Sequence, residues 1–328
     1  MNGLALAPAT CFGKLPTRGD FVKGPGQHQL IAMLDGWLSD CMASLSEDPH
    51  WKAAYDQGPG VDFLFVGPRS RVSVIGHLRP SQDVSGRRFP FLGAATIERD
   101  DLLMLRCAPA CLDSPFKVLR ESVRTGTEGG ELGDILAGLE QLDSGADFEE
   151  ALQADPLGRF ARRTTLAGLS ALLAPAVPAG APRRIILAIG LLLRPLLGNP
   201  GMAIARELVL PLPGEVGERH LVAGLWLYLV TAFLRGTACE VQVLLAPWRS
   251  TARMVIGFNG ATPGPLLTLL TPDPDPARFI ELSDPEWIET HPDLTRDYGV
   301  AKLSSYLGQP ALPLEAALNT FREVFLGE

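Results

Sequence analysis

Cys11 is the residue of this sequence that is best placed to act as a nucleophile. Lys14 and Arg18 follow it closely, and neighbouring cations lower the pKa of a thiol, which increases the reactive thiolate fraction. A catalytic thiol also needs a positioned base, and His28 is the nearest histidine along the chain. These residues would suit a cysteine-dependent hydrolase. We favour the simpler interpretation, in which Cys11 fills core space at the end of the first strand.

The motifs of other enzyme and cofactor classes do not occur. The sequence lacks the phosphate-binding loops G-x-x-x-x-G-K-[ST] and G-x-G-x-x-G, the zinc-binding H-E-x-x-H pair and the G-x-S-x-G nucleophile turn. Its five histidines are spread singly, and no two cysteines have C-x-x-C spacing. Cys107 and Cys111 are four positions apart, which favours two buried thiols on one helical face. The sequence therefore predicts neither a cofactor nor a metal site.

Charged and turn-forming residues are concentrated in two segments, CFGKLPTRGDFVKG at 11–24 and LRPSQDVSGRRFPF at 78–91. Each combines proline, glycine and aspartate, which together favour tight turns. Turns that emerge from one sheet can lie side by side, and arginine makes planar, multiple hydrogen bonds to carboxylates. We predict a protein-binding rim that consists of Lys14, Arg18, Asp20, Asp83, Arg87 and Arg88. The competing interpretation is that these are solvated loop charges.

The Arg-Gly-Asp tripeptide of the first segment has a local explanation that does not involve integrins. Its glycine permits a turn, and we expect Asp20 to accept backbone N–H groups. Phe21 and Val22 should then return to the core. This arrangement would leave Lys14 and Arg18 directed outward together.

The charge of the chain is unevenly distributed. The 328 residues are 46% hydrophobic and 20% charged, which is typical of a globular protein. The net charge of −8 comes from residues 91–158, which hold 5 basic and 14 acidic residues. Such a stretch repels nucleic acid and anionic lipid, which bind through clustered lysine and arginine. A basic face of a partner protein could meet this stretch, although a solvated acidic surface is the commoner explanation.

The sequence also predicts the compartment. An odd set of five cysteines argues against a disulfide framework and fits a reducing environment. The N-terminus lacks the basic segment and the apolar run of a secretory signal. The apolar runs at 185–193 and 221–234 are nine and fourteen residues long, shorter than the roughly 20 needed to cross a bilayer. We expect a soluble, cytoplasmic protein without membrane insertion.

Strands and amphipathic helices must position these residues. Branched and alternating apolar runs predict strands at 4–15, 61–67, 71–78 and 87–98, and a later strand pair at 239–247 and 251–260. Apolar residues at three- and four-residue spacing predict helices at 27–45, from 113, at 132–142, from 221 and at 314–325. The run at 185–193 suits a strand covered on both faces, with a short buried helix as the alternative.

These elements indicate an α/β sandwich, in which helices cover both faces of a central sheet. We predict two halves, residues 1–145 and 146–328, with one continuous domain as the alternative. The stretch at 152–158 near their boundary is too short and too apolar to be a free linker. The halves should therefore pack against each other.

Three features, in this order, resemble the N-terminal domain of TagF: FGKLPTRGDFV at 12–22, a helix carrying Leu34, Trp37 and Leu38, and PSQDVSGRRFPF at 80–91. The resemblance covers roughly residues 10–140. TagF proteins are accessory components of bacterial type VI secretion systems. The resemblance implies a three-layer α/β/α sandwich with a central mixed sheet.

The resemblance also implies a function. It indicates a cytoplasmic, non-enzymatic regulator that holds the secretion apparatus off after translation. The implied partner is the forkhead-associated (Fha) scaffold protein, which TagF sequesters or keeps from assembling. The alternatives are a structural or assembly subunit of the apparatus and the hydrolase that would use Cys11. The sequence does not predict the oligomeric state.

Overall fold

A single mixed sheet forms the centre of the protein. The computed structural model describes residues 8–67, 72–98, 102–142, 150–174, 176–248 and 251–328. In chain order their strands are β1 (Thr10–Gly13), β2 (Val22–Lys23), β3 (Val61–Val66), β4 (Ser73–Arg79), β5 (Phe91–Ile97), β6 (Glu207–Leu212), β7 (Val241–Trp248), β8 (Thr251–Gly257) and β9 (Phe279–Glu281). They lie in the order β2-β1-β5-β4-β3-β7-β8-β6-β9. Neighbouring strands are antiparallel except β6 and β9, which are parallel, so the sheet is mixed, as predicted.

Helices cover both faces of this sheet. In chain order they are α1 (His28–Leu45), α2 (Trp51–Asp56), α3 (Leu102–Cys111), α4 (Asp113–Thr127), α5 (Leu132–Glu140), α6 (Pro156–Arg163), α7 (Leu166–Leu173), α8 (Ala181–Leu193), α9 (Pro195–Gly198), α10 (Val216–Thr231), α11 (Gly264–Leu270), α12 (Asp293–Arg296), α13 (Tyr298–Leu307) and α14 (Leu314–Leu326), with a 3₁₀ helix at Glu286–Thr290. Successive strand residues point to opposite faces. On β3, Phe63 packs in the cluster with Trp37 of α1, and Leu64 packs in the cluster with Phe116 of α4 and Trp226 of α10. The predicted three-layer sandwich is confirmed.

Most predicted elements form where the sequence places them, including α1, α4, α5, α14 and the β7–β8 pair. The first strand begins at Thr10; residues 4–7 and 71 of the predicted strands lie outside the described residues. The strand predicted at 87–98 begins at Phe91, because Pro90 cannot donate to the strand ladder. Sequence analysis missed β6, in which Pro211 obscures the strand pattern.

At 185–193 the favoured strand is wrong and the alternative, a short buried helix, is confirmed, because these residues belong to helix α8. The helix is buried almost all round, so its sequence shows no 3.6-residue period to distinguish it from a buried strand. Its start carries helix signals: Gly180 has a φ of 82°, and Pro182 lies in the first turn. Gly190 permits close packing, since a Cβ there would lie 2.2 Å from Cε2 of Phe325 on α14.

The sheet runs through both predicted halves. Strand β3 pairs with β7 from Asp62 opposite Leu245 to Val66 opposite Val241. Helix α3 packs on α10, so the halves also meet outside the sheet. The division into domains at residue 145 stays a prediction, since that position lies outside the described residues.

A buried ionic network ties β3 to helices from both halves. Asp62 of β3 is almost fully buried, and its Oδ1 lies 2.7 Å from Nδ1 of His77 on β4. Arg120 of α4 donates from Nη2 to Asp62 Oδ2 at 2.6 Å and from Nε to Asp62 Oδ1 at 3.0 Å. The same Nη2 donates to Nε2 of His220 on α10 at 2.9 Å. Two histidines that are isolated in the sequence thus meet around one carboxylate.

The neighbours of Asp62 compensate its charge. Burial alone would raise the pKa of Asp62, but His220, His77 and Arg120 lower it far below its ordinary value of 3.8. Burial alone would lower the pKa of His220, but its contacts with Asp113 and Asp62 raise it above its ordinary value. His220 Nδ1 lies 2.8 Å from Asp113 Oδ1, in a contact that lacks the angle of a hydrogen bond. Asp62 therefore stays ionised at neutral pH.

We expect Asp62→Ala to lower the free energy of unfolding by about 3–5 kcal/mol, because removing one partner of a buried ion pair leaves the other charge uncompensated. The control Asp40→Ala removes an exposed carboxylate of α1 and should change that free energy by about 0.5 kcal/mol or less. Urea denaturation followed by circular dichroism measures both. A loss of less than about 1 kcal/mol for Asp62→Ala would contradict a stabilising role of the network.

Candidate protein-binding surface

The two turn segments emerge from the same end of the sheet. Strands β1 and β4 are both antiparallel to β5, so they run in the same direction and the segments that follow them leave together. Val84 N donates to Arg18 O at 3.0 Å, and Arg87 Nη2 donates to Gly19 O at 2.5 Å. The turns therefore lie side by side and are hydrogen-bonded to each other.

The side chain of Asp83 holds both turns. It is almost completely buried and accepts five hydrogen bonds. Oδ1 accepts from Ser85 N at 2.9 Å, from Ser85 Oγ at 2.7 Å and from Arg87 N at 3.0 Å. Oδ2 accepts from Lys14 Nζ at 2.9 Å and from Arg87 Nε at 2.7 Å. One carboxylate therefore bonds its own turn and the turn after β1.

Lys14 is an internal partner of this carboxylate. The prediction that Lys14 points outward with Arg18 is wrong, because the lysine side chain is buried against Asp83. A buried carboxylate requires a paired cation or several hydrogen bonds, and Lys14 supplies the cation. Burial alone would raise the pKa of Asp83, but hydrogen bonds from Lys14, Ser85 and Arg87 lower it well below its ordinary value.

Asp20 and Phe21, which follow in the first turn segment, differ from the sequence-based prediction. Asp20 is exposed, and no backbone N–H in the described part of the chain donates to it. Phe21 was expected in the core but is 44% exposed. One face of its ring stacks on Phe12, with centroids 5.6 Å apart, and Phe89 packs edge-to-face at 4.9 Å. The chain returns to the core one residue later, at Val22.

Arg88 fastens the second turn to α2. Its Nε and Nη2 donate to the two carboxylate oxygens of Asp56, each at 2.7 Å. This hydrogen bonding raises the pKa of Arg88 and lowers that of Asp56. Beside it, Tyr55 OH donates to Ser81 O and accepts from Ser81 N, both at 2.9 Å. Arg88 is thus used mainly within the protein.

Five neighbouring side chains remain exposed on this rigid base. We call them the exposed turn surface: Arg18, Asp20, Phe21, Val84 and Arg87. Val84 is 69% exposed, and Arg18 has an ionic contact of 3.4 Å with the exposed Glu131, a kind of contact that contributes little to stability. Three of the six predicted rim residues therefore face outward, and the other three hold them in place. The predicted rim did not include Phe21 and Val84. An apolar side chain within a charged turn was the signal that could have identified them.

Cys11 lies in a setting unlike that of a catalytic thiol. It is fully buried, and burial raises its pKa to about 11. The suggestion that Lys14 lowers this pKa is wrong, because the lysine amine is bound to Asp83. Cys11 also points into the cluster on the α4 face of the sheet, whereas His28 begins α1 on the other face. The two therefore do not form a nucleophile–base pair.

Within the described residues, histidine, cysteine and acidic side chains do not gather in groups of three that could hold a metal ion. Every helix described there is too short or too polar to span a bilayer.

Comparison with known proteins places the site in a recognised domain. Residues 10–142 match the family model of the TagF N-terminal domain, which is described as type VI secretion system-associated. The predicted resemblance is confirmed for these residues, and they include the whole exposed turn surface. No curated protein matches the chain.

A solved structure is also similar to part of this chain. The crystal structure of PA0076 from Pseudomonas aeruginosa PAO1 aligns with 42% of this chain at 24% identity, with a TM-score of 0.38. The alignment spans 63% of the length of that protein.

We expect Asp83→Asn to lower the melting temperature at neutral pH, because the amide keeps the shape of the side chain without its charge. The stability contributed by ionised Asp83 is present above its unfolded pKa of 3.8 and is lost as the pH falls through the lower folded pKa. The difference in melting temperature between wild type and variant should therefore narrow below pH ~4. Thermal melts over a pH series measure it, with Asp20→Asn as the exposed control. A difference that stays constant down to acid pH would contradict the ionised pair.

Proposed function

We propose that this chain is a non-enzymatic accessory protein of the bacterial type VI secretion system, and that it holds the apparatus off after translation by binding the forkhead-associated (Fha) scaffold protein. The match of residues 10–142 to the TagF N-terminal domain supports the link to type VI secretion. The exposed turn surface within those residues supports protein binding as the mode of action.

The exposed turn surface has the composition of a recognition site. Two arginines accompany Phe21 and Val84, and arginine and aromatic residues are enriched where interfaces bind most strongly. A guanidinium has five N–H donors, and the hydrogen bonds of Arg87 within the described residues use two of them. Carboxylates of the partner would bind Arg18 and Arg87, while a cation of the partner would meet Asp20.

The base beneath this surface favours binding because it is already ordered. The turns are fixed by the hydrogen bonds of Asp83 and by the ion pair between Arg88 and Asp56. Ordering a loop or a side chain upon association weakens binding. Since the two turns are rigid beforehand, only the exposed side chains of this surface would lose freedom.

Binding alone would explain repression. A scaffold protein acts by joining other components, so a chain that covers one of its faces would keep it from joining them. Such repression follows mass action, and it depends on the relative amounts of the two proteins. It requires no reaction, which agrees with the burial and raised pKa of the Cys11 thiol.

We expect Arg18→Glu to weaken binding to the purified Fha protein of the same gene cluster by about 10- to 100-fold, which corresponds to about 1.4–2.8 kcal/mol and is common for an arginine at the centre of an interface. Isothermal titration calorimetry would measure the dissociation constant. The melting temperature should stay near that of wild type, because the contact between Arg18 and Glu131 is exposed.

The matched control for this variant is Arg278→Glu. The Arg18 and Arg278 side chains are 50% and 54% exposed, and each has one long ionic contact, to Glu131 at 3.4 Å and to Asp275 at 3.9 Å. Arg278 lies far along the chain, outside the matched domain. Equal affinity of wild type and both variants would refute the proposed surface.

Deleting the gene for this chain should raise secretion in a bacterium that carries it, because a repressor would be lost. Immunoblotting of a secreted substrate in the culture supernatant measures the effect. Complementation with the wild-type gene or with Arg278→Glu should restore repression, whereas Arg18→Glu should not. Loss of secretion upon deletion would instead identify an assembly subunit of the apparatus.

A further inference from the structure

Helices α3, α6, α10 and α14 line a half-open cavity of about 430 Å³. Cavities of 300–1,000 Å³ commonly hold small molecules. The cavity lies on the α4 side of the sheet and uses no residue of the exposed turn surface. Most of its wall is apolar, formed by Ala110, Leu152, Leu157, Ala161 and Leu318.

One cationic side chain of this wall has an unmet hydrogen-bonding need. Arg106 of α3 places its guanidinium over the ring of Tyr228, 4.9 Å from the ring centroid. Its Nε is buried and has no hydrogen-bond partner within the described part of the chain. A buried N–H without an acceptor is unfavourable and rare in native proteins. An anion in the cavity would pair with the charge of this guanidinium.

The two carboxylates of the wall lie next to another cation, Arg162. Arg162 Nη2 lies 3.3 Å from Asp155 Oδ2, and Arg162 Nη1 lies 4.0 Å from Glu315 Oε1. Asp155 Oδ1 also accepts from Gly158 N at 3.0 Å. Among the described residues, no carboxylate lies within ion-pair distance of Arg106. Arg106 is therefore a cation of the cavity wall that has no anionic partner among the described residues.

The two thiols of the wall do not oppose an anion. Hydrogen bonding to Cys107 and burial both raise the pKa of Cys111, so its thiol is uncharged at neutral pH. The spacing of these cysteines was expected to give two buried thiols on one helical face; Cys111 is buried, and Cys107 is half-buried.

We propose that this cavity binds a small anionic amphiphile, a molecule with an apolar body that fills the space between α3, α6 and α14 and one carboxylate head that pairs with Arg106. The apolar wall supplies most of the contact area, and Arg106 selects the charge of the head. A hydrogen bond between two charged groups is stronger than one between neutral groups. The proposal is independent of any binding at the exposed turn surface.

Decanoate and decanol test this proposal, because they share the same chain length and differ in the charge of the head. Each would be titrated into the full-length chain by isothermal titration calorimetry, with a thermal melt as the second readout. We expect decanoate to bind about tenfold or more tightly than decanol and to raise the melting temperature as its concentration rises.

Two variants connect this preference to the cavity. Arg106→Met keeps an apolar stem over Tyr228, and it should bind decanoate no more tightly than decanol. Ala110→Phe should fill the cavity and abolish binding of both compounds. The matched control, Arg163→Met, removes an exposed arginine of α6 that does not line the cavity, and it should behave like wild type.

Three results would overturn the proposal. Wild type could bind neither compound at millimolar concentration, or it could bind both with equal affinity. Alternatively, a folded Ala110→Phe variant could bind decanoate as tightly as wild type, which would place the ligand elsewhere. The comparison of decanoate with decanol on the wild-type chain tests the proposal even if the Arg106→Met variant is unstable.

Discussion

A buried carboxylate, Asp83, is the constraint on which the exposed turn surface depends. An ionised group inside a protein must be paired or fully hydrogen-bonded, and Asp83 meets this requirement with groups from two separate turns. Satisfying one charge therefore fixes the position of both turns. Arg18 and Val84 are held next to each other without making the strong internal contacts themselves. The side chains of Arg18 and Val84 stay exposed because Lys14, Asp83 and Arg87 supply the internal hydrogen bonds.

The same principle operates deeper in the protein, at Asp62. There the compensating groups come from β4, from α4 and from α10, so one charge ties the sheet to helices of both halves. The two carboxylates differ in what they organise. Asp83 organises turns at the end of the sheet, where side chains can reach a partner. Asp62 organises the packing of a helical layer, where removing its charge would leave Arg120 uncompensated.

Local patterns made much of the fold predictable, whereas the roles within the site depend on distant partners. Helix α1 was found because the period of its apolar residues is a property of neighbouring positions. Lys14 was placed outside because its partner, Asp83, lies 69 positions away and nothing local reveals the pair. Helix α8 was mistaken for a strand because complete burial removes the polar positions that show a period. The clustering of the rim residues was visible in the sequence, but which of them face outward was not.

Helix α4 lies on one route of contacts between the exposed turn surface and the cavity. Arg18 contacts Glu131 at the start of α5, and α5 packs on α4. On the other side, α3 carries Arg106 and packs on both α4 and α10. One route between the two sites passes through α4, and a signal along it requires α4 to have two arrangements. The ion pair between Arg120 and Asp62 opposes a second arrangement, because moving Arg120 away would take one of its partners from a buried charge. Coupling along this route is therefore opposed by the burial of Asp62.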